Sequence, residues 1–427
     1  MKRKENVRIV LVGAGGMSFG PVMVLDAVRA EKIRGSTLVL MDINEERLEV
    51  CYAAACRVNR SMGNPIKLEM TTDIRRALKG AHFVLLSTEN KRFEFWGQDY
   101  EVPRKHGSRQ LMGENGGPGG IFHAMRSIKL IISICRNIEK YSPNAFVLNL
   151  TNPMNPVTLA INRHTSLKTV GLCHELYGGL LRVSSFLMIP KKKIIGEAHG
   201  MNHFTWFYRI EHKDTGEDLY PRLRRHLRLF PLLYPPLVRY TFLKYGVFPT
   251  STDSHIGEYL PYAHKVNRWN FPFHEFFHRE WELRNFLTNS YANRRFTLPV
   301  HLLPESGELP FPIIEGMVTG ESTYLGNVVV PNKGYIPNLP KGVMVEVAAN
   351  TVGKKIKPIV TPPLPEPLAE IIKTQSEIQS MVVDAAVNGD KKLAFQAMLK
   401  EPLTPNPSAA RKIFDELYKL QCDYLPF

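Results

Sequence analysis

The sequence predicts an α/β protein whose core is a doubly wound parallel sheet. Over the first 160 residues, short apolar runs typical of strands alternate with segments of helical periodicity, and such alternation indicates parallel strands joined by helices. A glycine-rich turn joins the first apolar run to the first helix. Turn-forming residues also follow later strands, at the edge where open α/β sheets bind ligands.

The elements of this sheet can be assigned in order. "VRIVLV" is predicted as the first strand and "PVMVLDAVRA" as the first helix, and "STLVLMDINEERLEV" predicts a strand that ends at Asp42, followed by a helix. "GAHFVLLSTEN" and "NAFVLNLTNPMNP" predict two later strands, which residues 87–90 and 149–153 close at their carboxyl ends. Between them, "GENGGPGGIFHAMR" is a glycine-rich loop that enters a helix predicted to end near Tyr141.

The first turn matches most of a dinucleotide-binding fingerprint. Gly13 and Gly15 occupy the first two positions of G-x-G-x-x-G, Gly16 follows them, and Ser18 stands at the third position. The first glycine permits the tight turn, the second lets the backbone approach a pyrophosphate, and the helix N-terminus offers free N–H groups to that anion. Asp42 ends the second strand, where a carboxylate binds ribose hydroxyls and disfavours a 2′-phosphate. The turn therefore predicts NAD, rather than NADP, as the cofactor.

The chain is predicted to form two domains. Residues 1–170 form a Rossmann-like NAD-binding domain, with Ser87 and Asn90 expected at the cofactor because they follow a strand at the ligand-binding edge. Residues 171–427 form an α+β domain that binds metal and substrate. Within it, "NVVVPNKGYIPNLPKGVMVEVAANTVG" predicts an antiparallel element, and the tail from Ala369 to Tyr424 predicts two or three helices whose apolar stripe forms core or an oligomer contact.

Composition and charge narrow the function classes. The chain has 427 residues, of which 44% are hydrophobic, so it can bury a sizeable core. Its formal net charge of +15 could indicate nucleic acid, an acidic membrane or an anionic substrate. The basic residues are scattered without the interleaved aromatics of nucleic-acid-binding motifs, so we predict no nucleic acid. No apolar run approaches the ~18 residues of a membrane span. The apolar run after the basic N-terminus, Val7 to Val12 with Arg8 inside it, is too short for an export signal, so we predict a cytoplasmic protein with no membrane partner.

The most lipophilic stretch is "LRLFPLLYPPLVRYTFLKYGVF". It could lie on a membrane surface, but Pro231, Pro235 and Pro236 interrupt any long amphipathic helix. We therefore predict that it forms a packed lid or a subunit contact.

One thiol stands beside groups that can bind a metal. Cys173 precedes His174 and Glu175 in "GLCHELYGG", and "HGMNHF" supplies His199 and His203. Without a CxxC partner the thiol does not indicate a structural zinc site. A thiolate with an imidazole suits a borderline divalent metal that keeps open positions for substrate, although a Cys-His dipeptide alone is more often packing. Spacing alone does not select the ligands.

Seven motifs follow one another from Val7 to about Val352. They are the G-x-G-G-x-S turn, "DYEVPRKHG" before "GENGGPGG", "TNPMNP", "GLCHEL", "GMNHF", "HIGEYLPY" and "VVVPNKGYIPNLPKGVMVEV". In this order they resemble glycoside hydrolase family 4, the NAD- and metal-dependent glycosidases, which depart from two-carboxylate glycoside hydrolysis. Within that family, "CHE" is similar to the α-galacturonidase group. The resemblance implies that the second domain is of the lactate/malate dehydrogenase C-terminal type.

The resemblance implies a role for each matching residue. Cys173 and His203 would hold a divalent metal, usually Mn²⁺, and Asn152 would contact the sugar near it. Glu114 would transfer a proton to the leaving group, and Tyr259 would act as the base. The reaction would be hydrolysis of an α-galacturonide by transient oxidation at carbon 3, elimination, water addition and return of the hydride.

Other parts of the assignment concern binding. His174 and Glu175 would shape the sugar-recognition end and would not be metal ligands. A substrate carboxylate needs a cation that can bind it with two hydrogen bonds. The candidates for that cation are Arg104, Lys105, Arg109 and Arg295. The partner would be a small sugar, a uronate by this resemblance, and the assembly would be a homodimer or homotetramer.

Several alternatives stay open. Within the family, the substrate could be an α-galactoside or an α-glucuronide. A dehydrogenase of the lactate and malate kind would have the same sheet, but it would need a histidine paired with an aspartate, a substrate arginine and no metal. A non-catalytic NAD or redox sensor would use Cys173 as its reactive thiol.

Overall fold

The computed structural model of the protein describes residues 6–17, 19–267, 273–297, 299–303 and 306–427. Ser18, which the fingerprint assigns to the cofactor, lies outside these residues. The strands of the described part are β1 (Arg8–Val12), β2 (Thr37–Met41), β3 (Lys67–Thr71), β4 (Phe83–Leu86), β5 (Phe146–Asn149), β6 (Lys168–Gly171), β7 (Ile194–Met201), β8 (Phe204–His212), β9 (Phe248–Pro249), β10 (Tyr324–Pro331), β11 (Met344–Val352) and β12 (Lys355–Pro358).

The helices of the described part are α1 (Gly20–Arg29), α2 (Glu45–Ser61), α3 (Ile74–Leu78), α4 (Arg92–Lys105), α5 (Gly117–Tyr141), α6 (Met154–His164), α7 (Glu175–Leu187), α8 (Tyr220–Leu229), α9 (Pro236–Tyr245), α10 (Asp253–Ile256), α11 (Ala263–Val266), α12 (Phe273–Ala292), α13 (Pro310–Thr319), α14 (Glu366–Asn388), α15 (Lys391–Lys400) and α16 (Pro407–Gln421). Short 3₁₀ turns occur at Glu31–Ile33, Lys191–Lys193, Pro231–Leu233, Val300–Leu302 and Cys422–Tyr424.

The strands form one mixed sheet in the order β3-β2-β1-β4-β5-β6-β10-β11-β7-β8-β9, and β12 pairs with β11. The first six strands pair in parallel. Their order, 3-2-1-4-5-6, is that of the Rossmann fold. The predicted doubly wound parallel sheet is therefore confirmed.

The continuous apolar run of β1 is explained by burial on both faces of the sheet. Ile9 and Leu11 join the core that contains α1 and α2, whereas Val10 and Val12 join the core that contains α5 and α6. Successive side chains of a strand point to opposite faces. A strand covered by helices on both faces therefore needs no polar alternation.

The second half of the chain extends the same sheet. β10 is antiparallel to β6 through Val329 and Gly171, and β10 pairs with β11, as β7 does with β8, in antiparallel hairpins. The antiparallel element predicted from "NVVVPNKG…" is therefore present. Because one sheet runs through both predicted domains, the boundary between residues 170 and 171 stays a prediction.

Three C-terminal helices, α14, α15 and α16, follow the sheet. Ile378, Val383, Ile413 and Phe414 are buried in the core that also contains the inner face of α5. The apolar stripe predicted for the tail is thus packed within the chain, and it contributes to the core that supports the sheet.

The lipophilic stretch around α8 and α9 is packed through Leu227, Leu237 and Phe242 but exposed at the tip between the two helices. Leu229, Phe230, Leu232 and Leu233 are all exposed, with Leu232 at 90%. The prediction of a packed lid is wrong for this tip, and a subunit contact stays a prediction. No helix in the described ranges is long and apolar enough to cross a membrane.

Candidate active site

The thiol and one of the imidazoles meet at the carboxyl edge of the parallel sheet. Cys173 follows β6 by two residues, and His203 lies in the turn between β7 and β8. The φ of His203 is 63°, in the left-handed region that residues other than glycine seldom occupy. The distance from Cys173 Sγ to His203 Nε2 is 3.4 Å. The structure therefore brings the two predicted metal ligands together.

This separation fits a shared metal ion. With the bond lengths typical of zinc, about 2.3 Å to sulfur and 2.1 Å to nitrogen, two ligand atoms 3.4 Å apart would subtend an angle of roughly 100° at an ion. Such an angle suits tetrahedral or octahedral coordination. His199, the other histidine of the motif, instead bonds Thr361 Oγ1 through Nδ1 at 2.8 Å, and the sequence did not distinguish the two.

The charges around the pair suit a cation. Burial raises the pKa of Cys173 well above 9.0, and the carboxylates of Glu346 and Glu175 add to the rise. Burial also lowers the pKa of His203 well below 6.5, so its imidazole is neutral, the form that binds metals. Glu175 Oε2 and His203 Nδ1 are buried without a hydrogen-bond partner within the part of the chain that the structure describes. A bound cation would favour the thiolate and offset the buried negative charge.

Glu175 lies closer to this pair than the sequence analysis expected. Its Oε2 is 3.9 Å from His203 Nε2, and one donor atom from each of Cys173, Glu175 and His203 lies within 4.8 Å of the others. Its Oε1 accepts a hydrogen bond from Thr250. The carboxylate therefore faces the candidate metal site from the first turn of α7. Its position two residues after the thiol was the signal available in the sequence.

A second group of side chains adjoins His203. The ring of His255 stacks on that of His203, with 4.2 Å between centroids, and His255 Nδ1 lies 3.4 Å from Glu258 Oε2. Burial alone would lower the pKa of His255, but the hydrogen bond and charge of Glu258 outweigh it, so the pKa is raised. Neither residue was predicted from the sequence as part of the site, although both belong to "HIGEYLPY".

Glu258 ties that motif to the second glycine-rich loop. Its Oε1 accepts backbone N–H groups from Glu114 and Asn115, each at 2.7 Å, and from Gly116 at 3.3 Å. The Asn115 amide donates to Oε2 at 3.1 Å. One buried carboxylate therefore fixes the loop that carries Glu114 beside the segment that carries Tyr259.

The two predicted proton-transfer residues are both buried. Arg92 donates to Glu114 Oε1 at 2.7 Å. Burial would raise the pKa of Glu114, but the charges of Arg92, His255 and His123, together with the Arg92 hydrogen bond, outweigh it, so the pKa is lowered and Glu114 is a carboxylate in this state. Burial raises the pKa of Tyr259 well above 10, and the charge of Glu258 adds to the rise. The roles of Glu114 as acid and Tyr259 as base stay predictions.

The first glycine-rich turn forms a tight cradle after β1. A Cβ on Gly13 would lie 1.9 Å from the carbonyl oxygen of Ser87, and Gly13 has a φ of 90°, so only glycine fits there. The Gly15 N–H donates to Asp42 Oδ2 at 2.8 Å, and the Gly16 N–H donates to the Gly13 carbonyl at 3.1 Å. This backbone approach and the carboxylate at the end of β2 fit a dinucleotide. The turn lies three strand spacings, about 14 Å, from the end of β6 along the same edge.

The remaining predicted residues lie around this edge. Asn90 is half-buried after β4, and Asn152 is half-buried after β5 and precedes a cis proline bond. His174 is exposed, and its Nδ1 lies 2.7 Å from Glu308 Oε1. Glu308 is a further residue that the sequence analysis missed, because it comes from a segment 134 residues away.

Each of the four candidate cations for a substrate carboxylate is exposed or has other contacts in the described residues. Arg104 packs over the ring of Tyr100, with 4.9 Å to its centroid. Lys105 forms an exposed salt bridge with Glu416 at 2.7 Å. Arg109 and Arg295 are exposed.

The fold and site first define a class: a Rossmann-type α/β protein with a glycine turn and a thiol–imidazole pair at one sheet edge. The chain belongs to the family 4 glycosyl hydrolases, because the family model matches residues 8–189 and the model of the family's C-terminal domain matches residues 198–404. It is therefore a glycoside hydrolase. The resemblance seen in the sequence is confirmed.

Known relatives cover the chain almost end to end. An α-galactosidase of Bacillus subtilis is 30% identical over 98% of this chain and 99% of its own. An α-glucosidase of Erwinia rhapontici is 28% identical, with coverage of 98% and 99%. An α-galacturonidase of Thermoanaerobacterium saccharolyticum is 27% identical, with coverage of 99% and 97%. These relatives differ in their sugar, so they leave the substrate open.

Solved structures confirm the predicted fold class. A 6-phospho-α-glucosidase from gut microorganisms, in complex with NAD and Mn²⁺, superimposes with a TM-score of 0.85 at 20% identity and covers 99% of both chains. A malate dehydrogenase of Cryptosporidium parvum superimposes with a TM-score of 0.55 at 13% identity, over 90% of this chain and 100% of its own. The second likeness agrees with the predicted dehydrogenase-type architecture.

Proposed function

We propose that the protein hydrolyses α-galacturonides with NAD and a divalent metal, of which Mn²⁺ is our first choice. The observation that carries the metal-dependent part is the thiol–imidazole pair, whose Sγ and Nε2 atoms are 3.4 Å apart. The "CHE" motif and the relatives named α-galacturonidase, at 25% to 27% identity, support the glycone. A family relative crystallised with NAD and Mn²⁺ supports the cofactors.

The chain offers a place for each cofactor. Cys173 and His203 would hold the metal, while Gly13, Gly15 and Asp42 would hold NAD. Gly16, Ser18, Ser87 and Asn90 complete the proposed cofactor contacts. When bound, NAD supplies a reversible acceptor for the hydrogen of sugar carbon 3, and the cation stabilises negative charge on the sugar oxygens.

The protein's own side chains would move the protons. Tyr259 would remove the proton of carbon 2 once carbon 3 is oxidised. Its pKa, well above 10 in the structure, means that this step needs positive charge nearby, which a metal held by Cys173 and His203 would supply. Glu114 would serve the leaving oxygen, and it must first gain a proton because Arg92 keeps it ionised. Asn152 and His174 would orient the sugar.

An α-galactoside is the second candidate substrate, and one observation favours it. Glu175 and Glu308 are buried beside the candidate site, and Lys105 is engaged by Glu416 at the surface. A substrate carboxylate placed near such groups would be repelled unless a cation faces it. A neutral sugar avoids that cost.

The experiment is a substrate panel with purified protein, NAD, Mn²⁺ and a reductant. We would measure reducing-sugar release from digalacturonate and from p-nitrophenyl α-galactoside, α-glucoside and α-glucuronide. Preferred cleavage of digalacturonate supports the first proposal, and preferred cleavage of the galactoside supports the second. Stoichiometric accumulation of NADH would contradict both and favour a dehydrogenase. Absence of activity on every substrate would favour the sensor hypothesis, and glycosidase activity without a metal would contradict the proposed metal dependence.

The protein is also proposed to be a homodimer or homotetramer. The exposed side chains of Leu229, Phe230, Leu232 and Leu233 support a subunit contact, because apolar groups of this size are usually covered. Sedimentation velocity of the purified protein measures the assembly. A monomer at micromolar concentration would contradict the proposal.

A further inference from the structure

A single buried carboxylate lies behind the thiol–imidazole pair. Glu346, on β11, is 1% exposed. Its two oxygens accept hydrogen bonds from different side chains: Asn327 Nδ2 donates to Oε1 at 2.6 Å, and Asn202 Nδ2 donates to Oε2 at 2.8 Å. Asn327 lies on β10 and Asn202 lies in the turn between β7 and β8, so the carboxylate connects two separate segments of the chain.

The two hydrogen bonds lead to the two candidate metal ligands. Asn327 Nδ2 also donates to the backbone carbonyl of Cys173 at 2.8 Å. Asn202 directly precedes His203, whose φ of 63° is held in the left-handed region by this turn. A shift of Glu346 would therefore displace Cys173 through Asn327 and His203 through Asn202.

The strand register places Glu346 between the same two segments. One row of Cα partners crosses β6, β10, β11 and β7. The partners in that row, in sheet order, are Gly171, Val329, Glu346 and Gly200. Cys173 follows the first of these by two residues, and His203 follows the last by three. Glu346 therefore lies between the two strands that lead to the ligands, one strand from β7 and two strands from β6.

An ionisable group at this point is costly, which suggests a purpose beyond packing. Burial raises the pKa of Glu346 to about 7, and the charge of Glu175 adds to the rise. An apolar side chain would avoid the desolvation cost, but it could accept neither asparagine N–H. A carboxylate accepts on both oxygens and also adds negative charge near a cation.

We propose that Glu346 is a positioning residue that sets the separation of Cys173 and His203 for a divalent cation. It acts through Asn327 and Asn202, and it does not touch the ion. This inference rests on the proposed metal dependence of the enzyme. Residues that orient metal ligands typically change metal affinity 10- to 100-fold when they are substituted, roughly the effect expected here.

The test measures Mn²⁺ affinity of the full chain by isothermal titration calorimetry, with NAD affinity measured on the same samples. We expect Glu346→Ala to weaken Mn²⁺ binding by about 10- to 100-fold and to leave NAD binding unchanged. Glu346→Gln should lose less Mn²⁺ affinity. The amide oxygen of the glutamine can accept from Asn327, and Asn202 can turn its own amide oxygen to accept from the new N–H. Asn327→Ala removes the hydrogen bonds to Glu346 and to the Cys173 carbonyl but keeps the one from Asn202. Its Mn²⁺ affinity should therefore lie between those of the wild type and Glu346→Ala.

The matched control is Glu401→Ala. Glu401 is 2% exposed and has a pKa raised to about 7 by burial, and it accepts from Gln375 at 3.2 Å. None of its hydrogen bonds leads to Cys173 or His203 within the described ranges. Its removal should leave Mn²⁺ affinity unchanged.

The outcomes separate this inference from the proposed function. Folded Glu346→Ala protein with wild-type Mn²⁺ affinity would overturn the inference, as would equal losses in Glu346→Ala and Glu401→Ala. If Glu346→Ala does not fold, wild-type affinity in both Glu346→Gln and Asn327→Ala would overturn it. If the wild-type protein binds Mn²⁺ no better than Cys173→Ser protein does, the proposed metal dependence itself is contradicted.

Discussion

Removal of the Glu258 carboxylate should release the loop that carries Glu114. In Glu258→Ala, three backbone N–H groups of residues 114–116 and one Asn115 N–H lose their acceptor inside the protein. Each buried unsatisfied donor costs about 1 to 3 kcal/mol. Because the Gly116 bond is long, at 3.3 Å, and water can enter an opened loop, we expect a net loss of about 3 kcal/mol.

Hydrogen–deuterium exchange with mass spectrometry measures this loss locally. A fall of about 3 kcal/mol in the opening free energy corresponds to roughly 10²-fold faster amide exchange. We expect that acceleration in peptides covering residues 114–116. Glu258→Gln keeps one acceptor oxygen and should show a smaller acceleration.

A crossed control comes from Asp253, a buried carboxylate that accepts backbone N–H groups from Leu237 and Val238, each at 2.9 Å. Asp253→Ala should accelerate exchange at residues 237 and 238 and leave residues 114–116 protected. Wild-type protection of residues 114–116 in Glu258→Ala would refute the reasoning.

Three further predictions concern the metal, the nucleotide and pH. Cys173→Ser should sharply lower Mn²⁺ affinity and glycosidase activity, since oxygen replaces the soft ligand; calorimetry and a turnover assay measure both, and wild-type turnover would count against the thiol as a ligand. Asp42→Ala should weaken NAD binding and reduce the preference for NAD over NADP, because the ribose loses its acceptor; unchanged fluorescence titrations with both nucleotides would argue against this site. The pKa of Glu401 is raised to about 7 from 4.5, so the folded state binds the extra proton and stability falls as pH rises from about 4.5 to 7, by up to about 3 kcal/mol. Glu401→Gln should flatten that part of the urea-unfolding profile, and an unaltered slope would contradict the assignment.

The parallel half of the fold could be predicted because its signals are local. β1, β2, β4 and β5 are short apolar runs followed by turn formers, and burial on both faces makes such runs continuous. β3, with the sequence KLEMT, is an exposed edge strand, and β7, with IIGEAHGM, contains two glycines and two polar residues. The polar–apolar alternation of β3 spans only five residues, and β7 has no regular alternation. Pairing with β2 stabilises β3, and pairing with β8 and β11 stabilises β7.

The residues of the candidate site also differ in whether the sequence predicts them. Cys173, His203 and the glycine turn could be found because motifs mark them, and the structure adds that Cys173 and His203 converge. Glu258 and Glu346 could not be found, because each is one carboxylate in a mixed segment. Their importance comes from contacts with residues 142 to 144 positions away. Burial gives such groups their influence, and a sequence does not report burial of a single glutamate.

The central claim is that a transient oxidation makes the carbon 2 hydrogen acidic, so that glycoside cleavage exchanges that hydrogen with solvent. The direct measurement is hydrolysis of the preferred α-glycoside in D₂O, with NAD and Mn²⁺ present, followed by NMR of the released sugar. We expect one deuterium at carbon 2. A product with only hydrogen at carbon 2 would contradict it.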